Sequence, residues 1–487
     1  MKVLLVEPKS STTYPPMGLM KFARYHKLRG DDVTYVVGKN KNAHDQFWDK
    51  IYITSVFTYD FKNLLDTINY YSENLYNFEN MTVGGIAATL LAEKLKKLTG
   101  IDIHCGLQDS IDPFLENLAR TNLKYNYLLD CSPTIDNLPP DYEIVNENAK
   151  YSKITDNAFF LYSTKGCPNN CSFCAVKKLE PKYVSYIPIK KRISILREEI
   201  GDRAGLLFLD NNIAASDSFF KIIDEIIDCG YGCGEKMCYE KNGRKIYKHR
   251  FVDFNQGVDL RLLNREKMEA LSKTAINPLR LAFDNVDLAN EYEEKAKLAI
   301  ECGITKLSNY MLYNYKDSPE DLYARMEVNT DIIKKYGNEN VKIFSFPMRY
   351  SPINKTDRAY IGKKWHKRQI RAIQLILNAT HGIVSHSLRE YKEGKGFFYR
   401  AFGANESEFI ENLWMPFHYL INRDYYELEH SNIKEWRQAF KALSAHEAQE
   451  VMNWIKDGIN KEHLNTQSGK LKEFMTHYDN EHTQVIK

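Results

Sequence analysis

Cys167-Pro168-Asn169-Asn170-Cys171-Ser172-Phe173-Cys174 places three thiols within eight residues. Three thiolates on one loop can hold three irons of a 4Fe–4S cube and leave the fourth open to an exchangeable ligand, a position for chemistry rather than for electron storage alone. A structural zinc site is the other use of such a run, but it needs a fourth ligand, and no His or Cys follows within ten residues of Cys174. A second set, Cys229, Cys233 and Cys238, could hold zinc or an auxiliary cluster with His249 or Cys302 as fourth ligand. The alternative is that Cys229 is a buried helix residue and the grouping incidental. Nine cysteines, an odd number in a large chain, argue for metal or redox chemistry over a disulfide framework.

The elements that must carry these residues alternate between strand and helix. Val3–Val6, Val33–Val37, Ile51–Val56, Met81–Gly85 and Ile101–Cys105 read as strands, with helices from Leu19 to His26 and from Ala87 to Leu98. The alternation restarts at Asn157. Strands are expected at Phe159–Ser163, Gly205–Asp210, Val252–Gln256, Leu279–Phe283, Lys306–Leu312 and Val341–Phe346. Asn242-Gly243 predicts a tight hairpin ahead of the third of these. Beyond about residue 355 helices dominate, the long stretch Asn432–Gly458 being divided by the capping box Ser444-Ala445-His446-Glu447. The fold class expected is α/β with parallel sheets, in which ligands lie at the carboxyl ends of the strands.

Composition adds few constraints. The chain has 487 residues, 43% hydrophobic and 27% charged, with a formal net charge of +3. These values suit a folded protein of about three domains and give no global pull toward nucleic acid or membrane. No apolar run approaches the roughly 20 residues that span a bilayer. The start, Met1 to Pro8, is too short and too soon acidic for a signal peptide, so a cytoplasmic protein is expected.

Cys-x3-Cys-x2-Cys after the first strand of the second block, with an aromatic residue just before the last cysteine, resembles the signature of the radical SAM superfamily. The resemblance implies a partial (β/α)6 barrel over residues 155–352. Cys167, Cys171 and Cys174 would be cluster ligands, with S-adenosylmethionine chelating the open iron and Phe173 lying against the adenine. In that family the reduced cluster cleaves S-adenosylmethionine to a 5′-deoxyadenosyl radical, which abstracts hydrogen from the substrate. By position, Asp210 and Asn212 would meet the methionine amino group, although the family's usual Gly-Gly-Glu is absent. Gln256 and Arg261 would face the ribose and carboxylate, a structural pair of Arg261 with Asp259 being the competing use. The electron donor implied is of flavodoxin or ferredoxin type.

Residues 1–145 resemble the cobalamin-binding-like Rossmann domains that precede some radical SAM barrels. Ser55, Gly84 and Gly85 are the positions that would meet cobalamin, the glycines letting a large ligand approach the backbone. The loop that supplies an axial histidine is missing, Glu7-Pro8-Lys9-Ser10 standing there instead. Residues 353–487 form a mostly helical part without a recognised motif. Residues 342–400 hold 13 Lys and Arg against 3 Asp and Glu, interleaved with Tyr350, Tyr360, Trp365, Tyr391, Phe397, Phe398 and Tyr399. Such a segment suits a nucleic-acid or phosphorylated substrate, or is a solvated helix face. A radical SAM enzyme acting on an unidentified substrate is therefore the main expectation. A cobalamin-dependent methyltransferase is the first alternative, and a non-catalytic iron–sulfur or zinc protein that binds nucleic acid is the alternative from another class. A methylthiotransferase would need three further cysteines in the first domain, where only Cys105 and Cys131 occur.

Overall fold

A computed structural model describes residues 1–73, 78–146, 148–336, 340–378, 380–386, 397–421, 431–465 and 469–479. The chain divides into two compact units, Met1–Arg280 with Ser351–Tyr360, and Leu281–Tyr350 with Ile361–Lys487.

In the first unit, the apolar run at the start of the chain forms β1 (Lys2–Glu7), which is buried from Val3 onward. It pairs in parallel with β2 (Asp32–Val37) and β3 (Lys50–Ser55), and β3 pairs in parallel with β4 (Met81–Gly85), giving the order β2-β1-β3-β4. A central strand covered on both faces reads as an unbroken apolar run, which is what Val3-Leu4-Leu5-Val6 is. The helix Met17–Leu28 starts behind Pro16 and buries Leu19, Met20 and Ala23. The fifth strand expected at Ile101–Cys105 is not formed. Ile103 makes a single parallel bridge to Val83, and the next residue donates back to Val83. The helix expected over Ala87–Leu98 is broken at Leu91 into Ile86–Leu90 and Ala92–Thr99.

The same unit carries a second parallel sheet of β5 (Ala158–Leu161), β6 (Gly205–Phe208) and β9 (Phe251–Phe254). Between β6 and β9 stand β7 (Lys236–Lys241) and β8 (Arg244–His249), an antiparallel hairpin turning at Asn242-Gly243, both at positive φ. β5 and β6 are buried at every residue. The polar chain that follows each of them therefore emerges abruptly at the carboxyl end of a rigid strand. These are the loops on which the sequence places its chemistry.

The second unit holds β11 (Lys306–Tyr313), β12 (Lys342–Arg349) and β13 (Val384–Ser385), in a sheet of order β10-β11-β12-β13, the chain passing from one unit to the other within β10 (Leu279–Ala282). β11 and β12 are parallel, and β13 is antiparallel to β12. The helical stretch is divided as expected, into Ser431–Lys441 and Ala445–Asp457, by a capping box between Ser444 and Glu447. Trp436, Phe474, Met475 and Tyr478 form the centre of that helical core. The α/β class with parallel sheets and a helical C-terminal part is thus the observed one. Among the described residues no helix is long and apolar enough to cross a membrane.

In the basic segment Trp365, Phe397 and Phe398 are buried in the core. Arg368 is also buried, donating to the carbonyls of Trp414 and Met415. These four side chains are consumed by packing and do not form a stacking face. Tyr391 lies outside the described residues.

Candidate functional site

The three cysteines lie on the loop that leaves β5, inside the first unit. Cys167 and Cys171 are half-buried and Cys174 is exposed, and none of the nine cysteines is in a disulfide. The Cys174 amide donates to the Cys171 carbonyl at 3.0 Å, a turn that brings the last two cysteines round together. N–H groups reach the sulfurs. Asn212 Nδ2 donates to Cys167 Sγ and the Val176 amide to Cys174 Sγ, both at 3.5 Å. Hydrogen bonds of this kind to cluster sulfurs are among the means by which a protein tunes an iron–sulfur centre.

The loop's entry is shaped by Gly166, at φ +70°. A Cβ there would collide with the Lys182 carbonyl and stand 3.0 Å from that of Glu180, so the chain can turn into Cys167 only without a side chain. Gly166→Ala is expected to destabilise the fold by about 2 kcal/mol, from left-handed strain plus overpacking against backbone. A shifted urea midpoint checks it.

Asp210, at the end of β6, is 1% exposed. It accepts the amides of Ser163 and Thr164 and both their hydroxyls, the latter at 2.7 and 2.6 Å. Burial raises its carboxyl above the usual range against the opposing effect of those bonds. Asn212 is also 1% exposed, and while its Nδ2 serves Cys167 and Asp259, its Oδ1 is buried without a hydrogen-bond partner. Arg261 forks onto Asp259, with Nε to Oδ1 and Nη2 to Oδ2 both at 2.8 Å. Asp259 also accepts from Asn169 Nδ2 at 2.8 Å. Although burial pushes the Asp259 carboxyl up, the bonds from Arg261 and Asn169 hold it below the usual range. Gln256 is exposed on the β9 loop and Phe173 is half-buried on the cysteine loop.

The structure therefore brings Cys167, Asn212, Asp259 and Arg261 into one connected cluster and ties Asp210 to the loop's root. Sequence reasoning missed Asn169, Glu180 and Asn211. Glu180 accepts both the Gly166 amide and, at 2.8 Å, Asn211 Nδ2. No local pattern marks Glu180, which acts on a residue 14 positions away.

Among the described residues no group of three His, Cys, Asp or Glu side chains stands ready in metal-ligating array. The triplet still shares one short loop, with N–H donors on two sulfurs and an unpartnered buried acceptor beside it. That donor set fits a cluster bearing a ligand with an amino group. The second set is dispersed. Cys229 closes the helix Phe219–Asp228, buried, its thiol pushed up to about 11 by burial. Cys233 and Cys238 are exposed, the latter on β7. A second metal at Cys229, Cys233 and Cys238 has no support in this geometry.

At the other parallel sheet, the residues named for cobalamin serve the chain itself. Ser55 Oγ accepts the Ala88 amide at 3.0 Å, holding the start of the helix Ile86–Leu90. Gly85 has φ +92°, and a Cβ there would stand 2.5 Å from the Ser55 carbonyl. Gly84 faces His104, whose carbonyl a Cβ would approach to 3.5 Å. The cleft at the ends of β1 and β3, between Glu7, Ser10, Tyr14 and Ser55, measures about 30 Å³. Glu7 is held by the hydroxyls of Tyr35 and Tyr151 and by Lys150.

The chain sets a three-cysteine loop at the carboxyl end of a buried strand in a parallel sheet. No family model matches the chain. In sequence it is similar to bacteriochlorophyllide d C-12(1)-methyltransferase of Chlorobaculum tepidum, at 25% identity over 249 residues, 45% of this chain and 50% of that one. The chain thus spans about half the length of that relative. Similar solved structures include an apo, cobalamin-dependent S-adenosylmethionine radical enzyme, OxsB, at TM-score 0.43 and 12% identity over 94% of this chain and 70% of that one. Another is Streptococcus suis SuiB bound to S-adenosylmethionine, at TM-score 0.30 and 14% identity over 61% and 58% of the two chains.

Proposed function

We propose that the protein is a radical SAM enzyme whose cluster is held by Cys167, Cys171 and Cys174. The observation that carries this is the eight-residue loop with three thiols, set beside the buried, unpartnered Oδ1 of Asn212. When bound, a 4Fe–4S cluster with S-adenosylmethionine supplies reductive cleavage of the sulfonium and a carbon radical for hydrogen abstraction. The chain's own residues do the holding. Three thiolates would hold three irons of the cluster, Asn212 Oδ1 would accept from the cofactor's ammonium, and Phe173 would lie against the adenine. Arg261, with Nε and Nη2 on Asp259, would turn its Nη1 side toward the cofactor's carboxylate, and Gln256 would meet the ribose. Reducing equivalents come from a donor of flavodoxin or ferredoxin type.

Anaerobically reconstituted protein, given S-adenosylmethionine and dithionite, is expected to form 5′-deoxyadenosine, followed by mass spectrometry. The Cys167/Cys171/Cys174→Ala variant is expected to form none. Protein carrying a full cluster that leaves S-adenosylmethionine intact, with and without an added cell extract as substrate source, would sink the reading.

Methyl transfer is the second reading, favoured by the activity in the name of the Chlorobaculum relative. Cobalamin in such a reaction would lie near Ser55, Gly84 and Gly85, at the carboxyl ends of β3 and β4. Formation of S-adenosylhomocysteine together with a methylated product separates the two readings.

A further inference from the structure

We infer that the cysteine loop is held in shape by the protein itself, with Asp210 a positioning residue for Cys167 rather than a contact for the cofactor. The inference rests on the iron–sulfur reading for its purpose, while its geometry concerns the polypeptide alone.

Three consecutive residues at the end of β6 hold three successive points of the loop. Asp210 takes the amides and hydroxyls of Ser163 and Thr164. Asn211 steadies Glu180, which accepts the Gly166 amide. Asn212 reaches the Cys167 sulfur. Asp259, braced by Arg261, adds a fourth point at Asn169. A strand would send alternate side chains to opposite faces. Here β6 ends at Phe208, and the extended turn at Asn212, with φ −159° and ψ 79°, lets neighbours aim at one loop.

The source of the donors sets the role of Asp210. Ser163 and Thr164 bring four donors to its Oδ1, and the Ser163 amide is shared with Oδ2 at 3.1 Å. The carboxylate is closed off from solvent, and these hydrogen bonds all come from the root of the cysteine loop. Asn212 Oδ1, also buried, has no hydrogen-bond partner. The division of labour inferred is Asp210 for the loop and Asn212 for the ligand. Ordering residues 163–169 at folding means that their conformational entropy is lost then and not on metal binding, which raises the loop's affinity for whatever it closes on.

The test uses metal-free full-length protein, a maleimide probe and mass spectrometry of each labelled cysteine. Cys167 is expected to react about tenfold more slowly than exposed Cys174, because its reaction waits on local opening of the loop. Asp210→Asn turns an acceptor toward donors and is expected to speed Cys167 about tenfold. Buried Cys229 is the control for global loosening and should keep its rate. Thr164→Val removes one hydroxyl but keeps the amide bond, and should give a smaller rise with the same selectivity. It decides the matter should Asp210→Asn fail to fold. Equal rates at Cys167 and Cys174 in the unaltered protein, no change in Cys167 on substitution, or a parallel rise at Cys229 would each overturn the inference. Iron uptake by the unaltered protein is measured separately. Its absence would defeat the cluster reading while leaving the labelling result as it stands.

Discussion

Serine in place of any one of Cys167, Cys171 or Cys174 is expected to lower bound iron and 5′-deoxyadenosine formation together, by about a hundredfold or more. The reason is geometric. A cube offering one open iron needs three protein thiolates, and with two the cluster has two unprotected corners. Altering a residue merely in contact with a metal ligand commonly costs about 10–100-fold in affinity, so removal of the ligand itself should cost at least the upper figure. Serine tests sulfur chemistry and not volume, since the side chain is nearly isosteric. Cys105→Ser and Cys238→Ser, at exposed positions outside the eight-residue loop, should retain full iron. Iron and acid-labile sulfide assays with the cluster's visible absorbance give the result. Normal iron in the three loop variants together with loss in Cys233→Ser or Cys238→Ser would move the centre to the other set.

How much of this site could be read from sequence depended on the range of the interactions. The triplet was legible because all its chemistry lies within eight residues. The hairpin at Asn242-Gly243 and the capping box at Ser444 were legible for the same reason, each being a local solution to a backbone problem. Asp210 and Arg261 were expected, from their positions after strands, to meet a cofactor. Their partners, Ser163 and Thr164 in one case and Asp259 in the other, fix what they do here, and Ser163 and Thr164 lie 47 and 46 residues from Asp210. Glu180 carries no local pattern, so only the folded chain reveals it. The glycines of β4 illustrate the same limit. A Gly-Gly pair at a strand end is equally suited to an approaching ligand and to an approaching strand, and it is the Ser55 carbonyl that stands against Gly85. Ile101–Cys105 had the composition of a strand but finds only one bridge, since propensity cannot supply a partner.

The second large effect belongs to the second unit and is a dependence of stability on pH. His386 is fully buried, with its Nε2 2.7 Å from Ser345 Oγ and its Nδ1 3.3 Å from Thr330 Oγ1. Asn329 Nδ2 donates to Ser345 Oγ at 3.2 Å, and Asn329 itself accepts from Tyr292 and Asn309. Ser345 Oγ can turn its hydrogen to Nε2, which places the imidazole proton on Nδ1, facing Thr330; this tautomer is assigned from the network. Protonation of Nε2 would reverse the Ser345 bond and place a charge in the core, and burial accordingly pushes the imidazole down to about 3. The sign follows from proton counts. Between pH 6.5 and about 3 the unfolded chain binds a proton at His386 that the folded chain refuses, so stability is full above pH 6.5 and is lost as pH falls. The slope is about 1.4 kcal/mol per pH unit, or about 2 kcal/mol between pH 6.5 and 5. Four of the five tryptophans, Trp365, Trp414, Trp436 and Trp454, lie in this unit, so fluorescence in urea reports mainly on it. His386→Asn keeps a polar group at the site and removes the titration. The stability difference between pH 7.5 and 5 should be smaller in the variant than in the unaltered protein by about 2 kcal/mol. Equal differences in the two proteins would mean that His386 takes up its proton in the folded state as readily as in the unfolded one, and that the Ser345 network does not exclude it.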